Sequence, residues 1–362
     1  MRAKEEDAYR KLARTLDRIP NGFPATSSGV ELRLLARIFE PHEAETASAM
    51  HVSAEPASVI AGRLGMAPKA ARRILKNMAR RGQIRVERGD GELRFALMPF
   101  VVGFYEEQLP RIDEEMAELF EQYYQEALGG PLFTESPPIH RVIPVEQSVS
   151  LEVDVHPYER ASQIVESAKA WGVRDCICRT QQRLVGRGCE RLVAGCITLA
   201  PVPGAFDYSE VTKAITKDEA LRILREAEEA GLVHSTGNYR DGIYYVCNCC
   251  SCCCGVLRAL ADHPTPSEVV RSDFVAEVDA DSCVACGQCV ERCPMSAASI
   301  SDNVSSIEPG RCIGCGLCAA TCAVGAITLQ RRKGTPSELP ASLDEWMQER
   351  ARQRGLAYPD ER

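Results

Sequence analysis

The chain has 362 residues, 45% of them hydrophobic, enough to bury the cores of two to four domains. Its 18 cysteines follow a highly charged first stretch with no apolar leader, which argues against an extracellular disulfide scaffold and predicts a reducing cytoplasm. The formal net charge of −8 favours a basic docking face on a partner protein.

In chain order, Val30, Leu32, Leu34, Leu35 and Ile38 predict a helix over 29–39, and a short helix follows around 41–50. A helix near 56–65, a turn and a second helix over 67–81 come next, then strands over 83–87 and 92–97 about the turn Arg88-Gly-Asp-Gly91. Helix, turn, helix and hairpin together resemble the winged-helix family over about 27–99. Ten Arg or Lys against three acids between Ile60 and Arg94 reverse the overall sign of charge. That resemblance implies a DNA-facing helix presenting Lys69, Arg72, Arg73 and Lys76, with Arg88 in the wing, and dimerisation for a palindromic site. A solvated face on a protein-interaction module is the plainer alternative, and the helix has no Asn or Gln before Asn77 to read adenine.

The apolar run Phe95 to Tyr105 contains Pro99 and Gly103 and is too short for a membrane span, which needs about 20 residues. An acidic helix is expected over 113–127, ended by Gly129, Gly130 and Pro131, so that 100–138 reads as a helical linker. The segment 139–272 predicts a mixed α/β domain with a strand near 141–145, helices over 157–170 and 217–230, and strands at 232–235 and 243–246. It carries ten cysteines in two sequence groups: Cys176, Cys178, Cys189 and Cys196, then Cys247, Cys249, Cys250, Cys252, Cys253 and Cys254. Six thiols within eight residues cannot be inert core in a reducing compartment, and thiolates at this density select iron–sulfur clusters, zinc or Cu(I). One or two iron–sulfur clusters are expected, with zinc the alternative, and spacing leaves their ligand grouping open. His140, His156 and His234 could each replace a thiolate or be ordinary core or surface residues. Arg174, Arg179, Arg183, Arg187 and Arg191 could steady anionic clusters or form a solvated face.

At the C-terminal end Cys283, Cys286, Cys289 and Cys293-Pro294 recur 29 residues later as Cys312, Cys315, Cys318 and Cys322, with Ala323 in place of the second proline. Val278 maps on Ile307, Ala297 on Ala326 and Ile300 on Leu329, so each half reads as strand, loop, short helix, strand. Three cysteines of a run converge on one cubane while the fourth serves the other. This assigns Cys283, Cys286, Cys289 and Cys322 to cluster I, and Cys312, Cys315, Cys318 and Cys293 to cluster II. Zinc on two four-cysteine sites is the competing reading, and three cysteines at this pitch before Cys-Pro disfavour it. The segment 273–331 resembles the bacterial dicluster ferredoxins, which implies two 4Fe-4S clusters, a pseudo-twofold fold and one-electron transfer at low potential. The middle and C-terminal parts together are similar to multi-cluster iron–sulfur proteins of anaerobic bacteria. A charged tail, 332–362, carries a short helix over 342–354, read as solvated or partner-facing.

The expected fold is thus α+β: a winged helix, a cysteine-rich α/β middle and a ferredoxin-like end. The expected function is electron relay to a partner oxidoreductase. A redox-responsive transcription regulator and an oxidoreductase with a substrate-binding middle cluster are the alternatives. No dinucleotide fingerprint, P-loop or nucleophile motif is present, and no catalytic side chain is assigned.

Overall fold

Ala8, Tyr9, Leu12, Ala13 and Leu16 recur at helical spacing and are buried, which makes α1 (Ala3–Asp17) an amphipathic helix inside the charged N-terminal stretch. The computed structural model describes residues 3–89, 91–132, 135–148, 156–191, 194–333 and 339–358. Asp90 of the expected hairpin turn, residues 133–134 of the linker, and 334–338 and 359–362 of the tail lie outside them. The chain divides into two units, 1–132 with 347–362, and 133–346.

In the first unit α2 (Val30–Ile38) and α3 (Pro41–Ser48) lead to the two-residue strand β1 (Glu55–Pro56), α4 (Ala57–Arg63) and α5 (Pro68–Arg80). Proline at the first position of α5 starts the helix without losing a bonded N–H. Only Ala71, Leu75 and Met78 of α5 are buried, one face at helical pitch, so its charged residues are left outside. The hairpin β2 (Ile84–Gly89) and β3 (Glu92–Leu97) pairs Val86 with Phe95, and β1 extends it to order β1-β3-β2. The acidic helix forms as α6 (Glu114–Tyr123), where the Asp113 carboxylate accepts the Met116 N–H at 2.9 Å. Wider π-type turns continue it over Tyr124–Leu132, past the glycines expected to end it. Phe23, Phe100, Phe104, Tyr105, Phe120 and Tyr123 form the aromatic core, with Tyr105 stacked on Phe120 at 4.1 Å.

The second unit is built on β4 (His140–Ile143), α7 (Ala161–Ser167), β5 (Ala170–Asp175), α8 (Ile177–Leu184), β6 (Ala194–Ala200), β7 (Lys213–Ile215), α9 (Lys217–Glu229), β8 (Val233–Gly237) and β9 (Tyr245–Cys249). Six strands pair antiparallel in the order β4-β8-β9-β6-β5-β7. The helix expected to reach residue 170 is shorter. The Trp171 indole N–H donates to the Val165 carbonyl at 2.7 Å, folding the chain back into β5. Gly172 is required there, because a Cβ would fall 2.3 Å from Thr212. One sheet face buries Ile143, Ile197, Leu199 and Val246 against Ile164 and Val165 of α7 and Leu224 of α9. Burying each such aliphatic side chain contributes about 1.5–3 kcal/mol.

Then come α10 (Gly255–Asp262), α11 (Pro266–Val269), β10 (Phe274–Val278), α12 (Gln288–Arg292), β11 (Ala298–Ser301), β12 (Val304–Ile307), α13 (Leu317–Ala320) and β13 (Ile327–Arg331). β10 pairs with β13 and β11 with β12, both antiparallel. The last helix, α14 (Leu343–Gln353), is not a solvated cap: Trp346, Met347, Arg350 and Ala351 are buried. In the second unit the Trp346 indole N–H donates to the Pro138 carbonyl at 2.9 Å, and in the first the Arg350 Nε donates to the Pro20 carbonyl at 2.9 Å. None of the helices among the described residues is long and apolar enough to cross a membrane.

Candidate metal centres

The C-terminal cysteines line two cavities. Cys293, Cys312, Cys315 and Cys318 surround one, together with Pro294, Met295, Ile307 and Gly316. Cys283, Cys286, Cys289 and Cys322 surround the other, with Val284, Ile300, Ser305 and Val324, and Cys318 reaches its edge. The backbone repeats with the sequence: φ is positive at Ala285 and Gly314, at Gly287 and Gly316, and at Ser296 and Gly325, each pair 29 residues apart. These left-handed residues turn peptide N–H groups toward sulfur. Ala297 N donates to Cys293 Sγ at 3.1 Å and, 29 residues on, Ala326 N donates to Cys322 Sγ at 3.2 Å. Ser305 N and Gly314 N lie 3.4 Å from Cys283 Sγ and Cys312 Sγ. Four converging thiols per cavity and N–H donors on sulfur suit thiolate-bound iron–sulfur clusters.

The cavities differ in exposure. Cys286 is exposed, as is Val284, whereas Cys312 and Cys315 are buried. Burial pushes the Cys315 thiol up, as does the charge of Cys318, so without a bound cation it stays protonated.

The ten middle cysteines come together across their sequence groups. β9 sets the division: Val246 belongs to the core beneath α7 and α9, while Cys247 and Cys249, two residues apart, lie on the opposite side. Cys196 of β6 is the cross-strand partner of Cys247. Cys176 and Cys254 sit at the N-caps of α8 and α10, and Cys178 lies in the first turn of α8. These six thiols neighbour one another in a closed ring, Cys176–Cys178–Cys254–Cys249–Cys247–Cys196 and back to Cys176. Three come from strands and three from helix starts.

The other four, Cys189, Cys250, Cys252 and Cys253, meet separately, all four sulfurs within 4.8 Å of one another. The tight turn after β9 carries three of them, and the loop after α8 brings Cys189. The Arg183 guanidinium holds that loop, donating to the carbonyls of Cys189 at 2.9 Å and Arg191 at 3.1 Å.

Between the two groups lies Arg179, 1% exposed, whose Nη2 donates to the Asn248 carbonyl at 2.7 Å. Burial alone would depress its pKa, but charge on Cys176, Cys250 and Cys249 holds it up. A buried guanidinium requires such anions. Of the arginine series, Arg179 therefore steadies thiolates, while Arg183 and Arg191 brace backbone carbonyls. The histidines take the plain reading. His234 contacts Asn248 Oδ1 at 2.6 Å and Glu228 at 3.2 Å, His140 packs on Tyr245, and His156 stacks on Tyr158. Ser235, whose hydroxyl lies 3.6 Å from Cys249 Sγ, and Ser305, 3.1 Å from Cys289 Sγ, carried no sequence signal.

Residues 276–323 match the family model of a 4Fe-4S dicluster domain, a span holding all eight C-terminal cysteines. No curated protein and no solved structure matches the chain. The matched domain and the clustered cysteines support an iron–sulfur protein with an electron-transfer role.

Proposed function

We propose that this chain is a multi-centre electron relay in which electrons enter at the exposed end of the ferredoxin-like domain and pass inward to the six-thiol ring. In this reading Cys283, Cys286, Cys289 and Cys322 hold cluster I, and Cys312, Cys315, Cys318 and Cys293 hold cluster II, in a domain with pseudo-twofold symmetry. A cubane held by either set would supply one-electron chemistry. The chain's part is to set the potential through N–H donors on sulfur, exclude water and fix the spacing of centres.

The observation that carries the reading is one continuous apolar core. Cys315 and Cys293 pack in the same cluster of side chains as Cys247, Cys249 and Cys254, with Met295, Ile313, Leu257 and Val233 in it. The Val145 N–H donates to the Cys315 carbonyl at 3.0 Å, tying the Cys315 loop to the chain just after β4 of the six-stranded sheet. The six-thiol ring, which shares this core with Cys293 and Cys315, would hold a further iron–sulfur cluster. At the other end the apolar side chains Val284, Val290, Ile300 and Val324 are exposed beside the cluster I cysteines. Exposed Asp279, Asp281, Glu291 and Asp302 lie in the same segment, so a redox partner with a basic rim about an apolar centre fits it.

Anaerobically prepared protein should contain about eight iron and eight sulfide for the two cubanes, plus the complement of the ring, with reduced-state EPR of coupled 4Fe-4S centres. Iron-free protein, or iron limited to about eight atoms, would overturn the relay.

A second reading rests on α5. Lys69, Arg72, Arg73, Lys76 and Arg80 are exposed, as is Arg88 of the hairpin, and among the described residues none of the six has an ion pair. On a winged-helix module this face suits a nucleic-acid backbone. It predicts duplex binding that weakens steeply with salt, is lost in the double variant Arg72→Glu/Arg73→Glu, and differs between oxidised and reduced protein. A gel shift without retardation at low salt in either redox state would remove this reading and leave the relay untouched.

A further inference from the structure

We propose that Cys189, Cys250, Cys252 and Cys253 form a closed site for one tetrahedral zinc ion and do not hold an iron–sulfur cluster. The argument is the size of the site. Cys253 Sγ lies 3.6 Å from Cys189 Sγ and 3.8 Å from Cys252 Sγ, and Cys189 Sγ lies 3.9 Å from Cys250 Sγ. Four sulfurs bound to a single ion at about 2.3 Å stand about 3.8 Å apart, the edge of the tetrahedron. The observed separations match that edge. Disulfides would bring sulfurs to about 2.05 Å, and all four cysteines are free.

A cubane binds its thiolates through four different irons, so its ligands must stand further apart than any pair sharing one ion. The protein itself provides the contrast. Among the described residues, the eight cysteines of the dicluster domain form no comparable group of three sulfurs, and neither do the six of the ring. The dicluster cysteines line two cavities, whereas these four converge on a point.

Two further features favour zinc over iron at that point. Thiolate sites bind zinc more tightly than ferrous iron in the ordinary divalent series, and a tetrahedral four-sulfur set suits it. The site also lies apart from the apolar core that joins cluster II to the ring, packing instead on Ala227 and Leu232 at the end of α9. A redox-inert ion there pins the Cys189 loop to the turn after β9. That fixes Arg179 and the cysteines of the ring on either side, a structural service that needs no electron.

The test is metal analysis of the full chain, purified anaerobically without chelator, combined with zinc X-ray absorption. One zinc per chain is expected, with four sulfur neighbours at about 2.3 Å and no metal neighbour. Cys252 is exposed, so Cys252→Ser should fold, lose most of its zinc and keep its iron, sulfide and EPR signals. Zinc-free wild-type protein would overturn the proposal, as would a Cys252→Ser variant that loses iron and sulfide while its zinc is unchanged. A single sulfide-free iron at this site would overturn it too. The iron inventory that decides the relay is a separate number, so each idea can fail without the other.

Discussion

Gly314→Ala is expected to destabilise the second unit by about 4 kcal/mol and to release cluster II iron, because two costs coincide at this residue. Its φ is +60°, where a side chain costs about 1–2 kcal/mol, and an added Cβ would fall 2.2 Å from the Phe274 carbonyl oxygen and 2.2 Å from Ser272 Oγ. A backbone carbonyl within β10 cannot swing aside without breaking the pairing with β13. The residue 29 positions earlier is the natural control. Ala285 already carries its Cβ at φ +51°, in a loop beside the exposed Cys286. Ala285→Gly should therefore cost nothing and gain up to about 1 kcal/mol from relieved strain. Anaerobic denaturant titration with iron retention measures both, and a Gly314→Ala variant with wild-type midpoint and full iron would contradict this packing.

Cys249→Ser should abolish the centre of the six-thiol ring while the dicluster signals persist. The residue is 6% exposed, and its pKa falls to about 6 through hydrogen bonding with Cys247 and Cys254, which favours a thiolate that a serine hydroxyl cannot replace. Loss of anionic ligands would also strip the buried Arg179 of counter-charge, a penalty of about 3–5 kcal/mol for a broken buried pair. The variant should retain about eight iron and the zinc of the neighbouring site, yet melt earlier. Cys252→Ser, three residues away, should do the opposite, keeping iron and losing zinc. If both variants lose the same metal, the division of the ten cysteines into six and four is wrong.

That division could not be read from spacing. Cys247 and Cys249 alternate with Asn248 along β9, and only the pairing of β9 with β6 brings Cys196 beside Cys247 and turns the pair toward the apolar core containing Cys315. Cys250, Cys252 and Cys253, one to four residues later, leave the strand and meet Cys189, which lies 61 positions from Cys250. Arg179 looked like one cation in a series of five. Its burial between the two sites depends on α8 following Cys176 directly after the end of β5.

Sequence alone determined the features that depend on local spacing. The Cys-x-x-Cys-x-x-Cys loops and their 29-residue offset set the chemistry of the C-terminal end, because such loops are short enough to converge on one centre wherever they are placed. Apolar periodicity likewise fixed α2, α5, α6 and α9, since a helix buries whichever face its own residues supply. α1 carries the same signal in Ala8, Leu12 and Leu16, set among charged residues that mask it. Tertiary structure decided what depends on residues distant in the chain. It ended α7 early where Trp171 reaches back to Val165, buried one face of α14 and drew the middle cysteines into a group of six and a group of four. Thiol grouping is set by which strands pair and which helix starts face them, and those choices belong to the packed core as a whole.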